Sequence, residues 1–233
     1  MADAHTLPTL AQIDADGAIE DALDAAVGST RSQFLRSVAL GSAALVAGLC
    51  ETVEAAPSAK QDIAILNYAL AFEYLQAGFY TEAESLGTIR AMDAERERWA
   101  RTLGAHERAH VKILKAVLRR RAAPKPFFDY RGVTEDPGAF TRTAVAMEDL
   151  TVALLGGQAP RVSDRALRSA FFSLLTVEAR HAAWARRIVG VAPVASAFDP
   201  PKTLAEVSRV IRSTRFLVSR PRAHGRRTPR YTG

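Results

Sequence analysis

Two copies of the pattern Glu-x-x-His are the strongest chemical signal in the sequence. One copy runs from Glu107 to His110 and the other from Glu178 to His181. Residues three apart lie on one face of an α-helix, so the glutamate and histidine of each copy can reach the same point. A carboxylate and an imidazole are costly in an apolar core but are natural ligands of a metal ion. The pattern therefore predicts a metal site.

Two further glutamates, Glu73 and Glu148, interrupt otherwise apolar helical segments. The order along the chain is then Glu, Glu-x-x-His, Glu, Glu-x-x-His. This order is the ligand set of di-iron and di-manganese four-helix bundles. We expect two iron or two manganese ions, one held by Glu73, Glu107 and His110 and the other by Glu148, Glu178 and His181. By analogy with related bundles, Glu107 and Glu178 are the expected bridging ligands.

Apolar periodicity predicts four long helices that carry these ligands on their buried faces. Three of the predicted helices span about 61–86, 92–121 and 164–189, and the third in chain order starts near Pro137. The buried stripe of the second is expected to include Val117. Ligands of one metal site must lie at one depth in a bundle, so similar numbers of residues should separate Glu148 and Glu178 from the turn between helices three and four. This requirement places that turn near Pro160–Ser163. The third helix should therefore continue through Gly156 and Gly157, against their local propensity.

The segment 122–136 predicts how the two helical pairs are joined. Pro124 and Pro126 should stop the second helix. The following extended chain could reach roughly 50 Å, enough to travel the length of a bundle. Helices two and three can then be parallel, while helices one and two, and three and four, are antiparallel. The predicted fold is an all-α four-helix bundle over residues 60–192, with a long crossover between helices two and three.

Charge and cysteine content exclude several other classes of protein. The formal charge is +6, but seven arginines lie from Arg212 onward, and the remaining 24 basic residues nearly match the 25 acidic ones. The basic excess thus belongs to the tail, and we expect no nucleic-acid partner. The single cysteine, Cys50, excludes an intramolecular disulfide framework and a rubredoxin-type iron centre.

Residues 1–56 have the layout of an export leader. A positive segment around Arg31 precedes an apolar run over 38–50 and a small-residue stretch over 55–59. The layout is twin-arginine-like but degenerate, since Ser32 stands at the second arginine position. The run is shorter than the ~20 residues of a transmembrane anchor. The sequence therefore predicts that the protein is exported. The alternatives for residues 1–56 are a disordered extension of a cytoplasmic protein and a helix packed on the bundle. For residues 193–233 the sequence predicts a short helix followed by a basic mobile tail.

A competing motif overlaps the second helix. His106 to His110 spells His-Glu-x-x-His, in which two histidines would bind zinc and Glu107 would act as a base. Ile113 occupies the position where the long form of that motif has glycine, and the motif leaves Glu73 and the second Glu-x-x-His unexplained. His106 also points about 100° from Glu107 around a helix. We therefore expect His106 not to be a ligand.

From Asp62 to Phe198 the sequence resembles the ferritin-like family that includes the desiccation-related proteins. The resemblance rests on four stretches: the pattern from Leu66 to Tyr80, Glu107-x-x-His110, Glu148-Asp149, and Val177 to Ala183. It implies a ferritin-like fold, a dinuclear metal site and frequent export.

The ligand set predicts redox chemistry with O₂ or H₂O₂ as the reacting partner. The leading hypothesis is a metal oxidase or a peroxide-consuming protein in stress defence, with manganese-catalase activity as a variant of it. The alternative is a non-catalytic stress or desiccation-related protein whose metal is structural. The residues are compatible with a homo-oligomer and do not determine one.

Overall fold

The computed structural model describes residues 58–194 and 196–219. The predicted leader over 1–56 and the tail beyond residue 219 lie outside this described part. The described chain forms five α-helices: α1 Ala59–Leu86, α2 Ala94–Leu118, α3 Pro137–Gln158, α4 Arg165–Ile188 and α5 Leu204–Thr214. Two short strands, β1 Phe127–Phe128 and β2 Leu217–Val218, pair antiparallel. Within these ranges, no helix is both long and apolar enough to cross a membrane.

Each helix begins at a polar side chain that accepts a hydrogen bond from the backbone three residues further on. The capping residues are Ser58, Asp93, Asp136, Asp164 and Thr203. Such a cap satisfies one of the free N–H groups of the first turn and stabilises a helix by about 1 kcal/mol. The cap at Asp93 explains why α2 starts two residues later than predicted. At its other end α2 stops at Leu118, and Arg119–Arg121 form a 3₁₀ turn.

Contacts at the helix ends fix the directions of the four long helices. Near the start of α1, the Asn67 side chain binds the backbone of Arg121 and Ala123, just beyond the end of α2, so α1 and α2 are antiparallel. Asp62, also at the start of α1, binds the turn between α3 and α4. Helix α3 therefore ends beside the start of α1 and runs parallel to α2. The predicted bundle with a long crossover is confirmed.

The crossover is more ordered than an extended linker. Its β1 strand pairs with β2, which lies beyond α5, so the chain after the bundle is tied to the crossover. The Tyr130 hydroxyl donates to the Leu75 carbonyl oxygen at 2.8 Å. Thr134 donates to Glu82 near the end of α1, at 2.6 Å, which places the start of α3 at that end of the bundle. Neither the strand pairing nor these contacts were predicted.

The four glutamates of interest lie in a layer between two apolar clusters. One cluster is rich in aromatic rings, with Phe79, Tyr80, Trp99, Tyr130, Phe140 and Phe216 among its members. The other is mainly aliphatic and includes Ile65, Leu70, Leu114, Leu118 and Leu155. Along every long helix, residues of one cluster precede the glutamate and residues of the other follow it. The expected burial of Val117 is wrong, because this side chain is exposed at the surface of α2.

Helix α3 passes through Gly156 and Gly157 and ends at Gln158, as the depth argument predicted. The structure supplies the reason for glycine at position 157. A Cβ atom there would lie 2.2 Å from the carbonyl oxygen of Lys202. The Lys202 N–H donates to the Ala153 carbonyl oxygen at 2.9 Å. Glycine therefore allows the chain before α5 to lie directly on α3.

Asp62 connects the start of α1 to the turn before α4. Its carboxylate accepts hydrogen bonds from the Ser163 N–H at 2.7 Å, the Ser163 hydroxyl at 2.7 Å and the Asp164 N–H at 3.0 Å. Burial alone would raise the pKa of Asp62, but these hydrogen bonds and the charge of Arg168 lower it below its ordinary value of 3.8. The ionised carboxylate thus stabilises this end of the bundle.

We expect Asp62→Ala to lower the free energy of unfolding by about 2–3 kcal/mol near neutral pH, since donors lose a charged acceptor. A group whose pKa is lowered on folding stabilises the protein above its unfolded pKa and loses that effect as pH falls through its folded pKa. The difference between parent and variant should therefore be constant above about pH 5 and shrink in more acid solution. Denaturant melts of both proteins across this pH range would measure it. A difference independent of pH would contradict the role of the charge.

Candidate metal centre

The structure brings all six predicted ligand residues together at mid-height in the bundle. Helices α1 and α3 supply one glutamate each, Glu73 and Glu148. Helices α2 and α4 supply one Glu-x-x-His pair each. The four glutamate side chains have no solvent exposure, while His181 is 3 % and His110 is 9 % exposed. Because the helices pack with the glutamates at one level, residues distant in sequence become neighbours.

The six side chains form two overlapping groups whose potential ligand atoms lie within 4.8 Å of one another. The first group contains Glu73, Glu107, His110 and Glu178, and the second contains Glu107, Glu148, Glu178 and His181. Glu107 and Glu178 belong to both groups. These two carboxylates therefore lie within reach of both groups, and their expected role as bridging ligands stays a prediction.

Both histidines turn the same ring nitrogen towards the carboxylates. His110 Nδ1 lies 2.9 Å from Glu178 Oε1 and 3.3 Å from Glu73 Oε2. His181 Nδ1 lies 3.1 Å from Glu107 Oε1 and 3.3 Å from Glu178 Oε2. The Glu148 carboxylate is slightly further from His181 Nδ1, at 3.7 Å. One nitrogen of each ring is therefore directed into the centre of the site.

Burial and mutual repulsion act strongly on two of the carboxylates. Burial, and next the charges of Glu107 and Glu178, raise the pKa of Glu73 well above its ordinary value. Burial is also the main cause that raises the pKa of Glu148 to about 8, with Glu107 and Glu178 adding to it against the opposing effect of His181. Without a cation both carboxyl groups are shifted towards their protonated forms.

The histidines respond in the opposite sense. Burial alone would lower the pKa of His110 and of His181, but the close contacts with surrounding carboxylates favour the protonated rings and raise both pKa values to about 12. Burial would raise the pKa of Glu107, yet its close contacts with the two histidines lower it to about 2. The cluster therefore compensates its buried negative charge with protons, which a metal ion must displace in order to bind.

Many polar atoms of the cluster have no hydrogen-bond donor. Six carboxylate oxygens of the site accept no hydrogen bond: both of Glu73, both of Glu107, Glu148 Oε2 and Glu178 Oε1. The nearby imidazole nitrogens make electrostatic contacts with several of them but no well-aligned bond. An unsatisfied buried carboxylate oxygen is costly. Divalent cations are the natural partners of such oxygens, so the donor set fits a metal centre.

Two residues outside the predicted set contact the cluster. The Tyr80 hydroxyl donates to Glu148 Oε1 at 2.7 Å. Burial, followed by the Glu148 charge, raises the pKa of Tyr80 well above its ordinary value, so the hydroxyl keeps its proton. His106 Nδ1 lies 2.9 Å from His181 Nε2 across the gap between α2 and α4. The sequence signal for Tyr80 was its spacing of two helical turns from Glu73; nothing in the sequence indicated the His106 contact.

His106 and Asp149 lie next to candidate ligands in the sequence but do not belong to either group. Neither group of candidate ligands includes His106, so the zinc-protease interpretation of His106 to His110 gains no support within the described chain. Asp149, the neighbour of Glu148 in the sequence, pairs with Arg186 through two contacts of 2.8 Å. This ion pair joins α3 to α4 away from the cluster.

A cavity of about 380 Å³ lies beside His110 between α2 and α4. Apart from His110 and Ser173, its lining is apolar and consists of Leu66, Ile113, Leu114, Val117, Leu167, Ala170, Phe171, Leu174 and Val177. The small exposed fraction of His110 and its place in the lining connect the cluster to this cavity.

Comparison with known proteins agrees with the fold. A search of curated proteins finds no match. The ferritin-like domain family matches residues 61–191, which is more than half of the chain and contains all six clustered residues and, apart from the first two residues of α1, all four long helices. The chain belongs to the ferritin-like domain family.

Proposed function

We propose that the cluster binds two divalent ions, iron or manganese, and that the protein uses them to oxidise metal with O₂ or to consume peroxide. Glu73 and His110 would hold one ion, Glu148 and His181 the other, and Glu107 and Glu178 would bridge them. When bound, such a pair of ions supplies two electrons to an oxidant.

One observation carries this proposal: the two candidate ligand groups overlap in Glu107 and Glu178. A single-ion site would use one group and leave the remaining buried glutamate and histidine without a partner. Two overlapping groups account for all six side chains at once. Four carboxylates also match the total charge of two divalent cations, so the loaded site would be nearly neutral.

The donor types favour iron or manganese over other ions. Carboxylate oxygens combined with a single imidazole per ion suit these metals, whereas the thiolates that select copper(I) or form iron–sulfur clusters do not occur at the site. The described cluster contains no cysteine, and the only cysteine of the chain is Cys50. The same donors serve iron and manganese, so the metal must be identified by analysis of protein purified from its native source.

The surroundings of the cluster support reaction with a small oxidant. The cavity beside His110 gives a path for a small molecule between the surface of α2 and α4 and the cluster. Its apolar lining favours a neutral molecule over an ion. On the opposite side, Tyr80 keeps its proton and holds Glu148, which limits the freedom of that carboxylate to move.

Metal oxidation tests the proposal directly. Protein stripped of metal is loaded without oxygen with two equivalents of Fe(II), then mixed with O₂ or H₂O₂, and the oxidised iron is followed by absorbance. We expect rapid oxidation of both ions and further oxidation when more Fe(II) is added. A parallel sample with Mn(II) and H₂O₂ is followed by release of O₂ at an electrode.

The control is a pair of variants with equal loss of charge. Glu178→Gln removes a shared carboxylate of the cluster and should abolish oxidation, whereas Glu97→Gln removes a partly exposed carboxylate of α2 that pairs with Arg101 and should leave oxidation unchanged. Two ions retained without oxidation or peroxide consumption would instead support the structural role expected of a non-catalytic stress protein. Failure to bind two ions would overturn the dinuclear proposal.

A further inference from the structure

The imidazole of His181 has a partner on each side. Its Nδ1 faces Glu107, Glu148 and Glu178, and its Nε2 lies 2.9 Å from His106 Nδ1. The His106 and His181 rings lie nearly parallel, with centroids 5.2 Å apart. His106 belongs to α2 and is exposed, so this contact joins a surface residue of one helix to a buried residue of another.

The orientation of His181 determines which tautomer can bind a metal. A ring nitrogen that binds a metal carries no proton, so a neutral His181 that binds through Nδ1 must carry its proton on Nε2. That N–H points at His106 Nδ1, which can accept it. A histidine ligand whose second nitrogen donates to a fixed acceptor is held in the correct tautomer and ring orientation.

The two halves of the cluster differ in this outer support. His181 contacts His106, and Glu148 accepts from the Tyr80 hydroxyl. Glu73 accepts no hydrogen bond through either oxygen. Among the residues that the structure describes, His110 meets only carboxylates of the cluster through Nδ1, and it lines the open cavity. One half is therefore held from outside and the other is not.

We propose that His106 is a positioning residue of the metal site, which acts by accepting a hydrogen bond from His181 and thereby strengthens binding of the ion held by Glu148 and His181. This inference rests on the proposed dinuclear site. It assigns His106 a role outside the ligand set. The two ions should then bind with unequal affinity, the ion beside Glu73 and His110 being the more weakly held.

Stepwise metal binding by variants of the full-length chain tests the inference. His106→Phe keeps a ring of similar size but removes the acceptor, while His106→Asn places an amide oxygen close to the position of Nδ1. Thr102→Val, one turn earlier on α2, removes a polar group that bonds only the Arg98 carbonyl oxygen and is the matched control. Each metal-free protein is titrated with Mn(II) by calorimetry.

We expect two binding steps in the parent, and in His106→Phe a loss of about 10–100-fold in the affinity of the tighter step alone. His106→Asn should recover much of this loss, and Thr102→Val should match the parent. In the Zn(II)-loaded parent, nitrogen-detected NMR of the five histidines should show two metal-bound rings that carry their protons on Nε2, and the Nε2 proton of one of them, His181, should be hydrogen-bonded. That proton signal should change in His106→Phe.

The possible failures are distinguishable. Parent-like affinities in His106→Phe would overturn the positioning role and leave the dinuclear site intact. Equal weakening of both steps without recovery in His106→Asn would also overturn it, since that result indicates a general structural effect. A parent that binds fewer than two ions would overturn the proposed function itself, whatever the behaviour of His106.

Discussion

Loading the metal-free protein with Mn(II) or Fe(II) should raise its melting temperature by about 8–16 °C near neutral pH. An ion that binds only the folded chain stabilises it by about 4 kcal/mol when free metal is ~1,000 times the dissociation constant. A domain of this size gains about 2–4 °C for each kcal/mol. The expected cause is the cluster of four buried glutamates, whose unsatisfied oxygens gain a cation.

The variant Glu107→Gln/Glu178→Gln should lose most of this shift, because both shared residues are changed. Without metal it should melt at or above the temperature of the metal-free parent, since repulsion among the buried carboxylates is relieved. The control is Glu95→Gln/Glu97→Gln, which removes the same charge from partly or fully exposed positions of α2. Its metal-dependent shift should equal that of the parent.

Acidification should reduce the metal-dependent shift. Metal binding requires deprotonated ligands, and the pKa values of His110 and His181 are raised to about 12 by their carboxylate partners, so each ion that binds releases protons. Lower pH opposes that release. Melting with and without metal at two pH values measures the effect. An unchanged parent melting temperature under verified saturation with metal would count against a site built from these six residues.

The sequence contained most of the information needed for the bundle, because helical periodicity and helix termination are local properties. Each long helix has an apolar stripe that one glutamate interrupts: Glu73, Glu107, Glu148 or Glu178. The requirement that these glutamates lie at the same depth in the bundle was enough to predict that α3 continues through Gly157. The structure adds the reason that glycine occurs there, namely the close approach of Lys202. That contact joins residues about 45 positions apart, and no local pattern reports it.

Features that depend on contacts between distant segments were not predictable in this way. The pairing of β1 with β2 joins two-residue strands that are too short to give an alternating pattern. The contact between His106 and His181 was missed for a related reason. The position of a residue around its own helix showed that His106 points away from Glu107, but the distance from His106 to α4 depends on how closely the two helices pack.

The sharpest distinction between the dinuclear site and a zinc-protease motif is the effect of His181→Ala. His181 lies in the second candidate group, and its Nδ1 lies among three carboxylates. Its loss should therefore remove one ion. The affinity for that ion should fall by more than ~100-fold, which is the upper range for residues that only support a ligand. His106→Ala should weaken that ion but still allow two to bind at saturation. The measurement is metal stoichiometry by equilibrium dialysis and elemental analysis. The zinc-protease interpretation requires the reverse order, with His106→Ala abolishing binding and His181→Ala harmless, and that result would replace the shared-carboxylate site with one built on α2 alone.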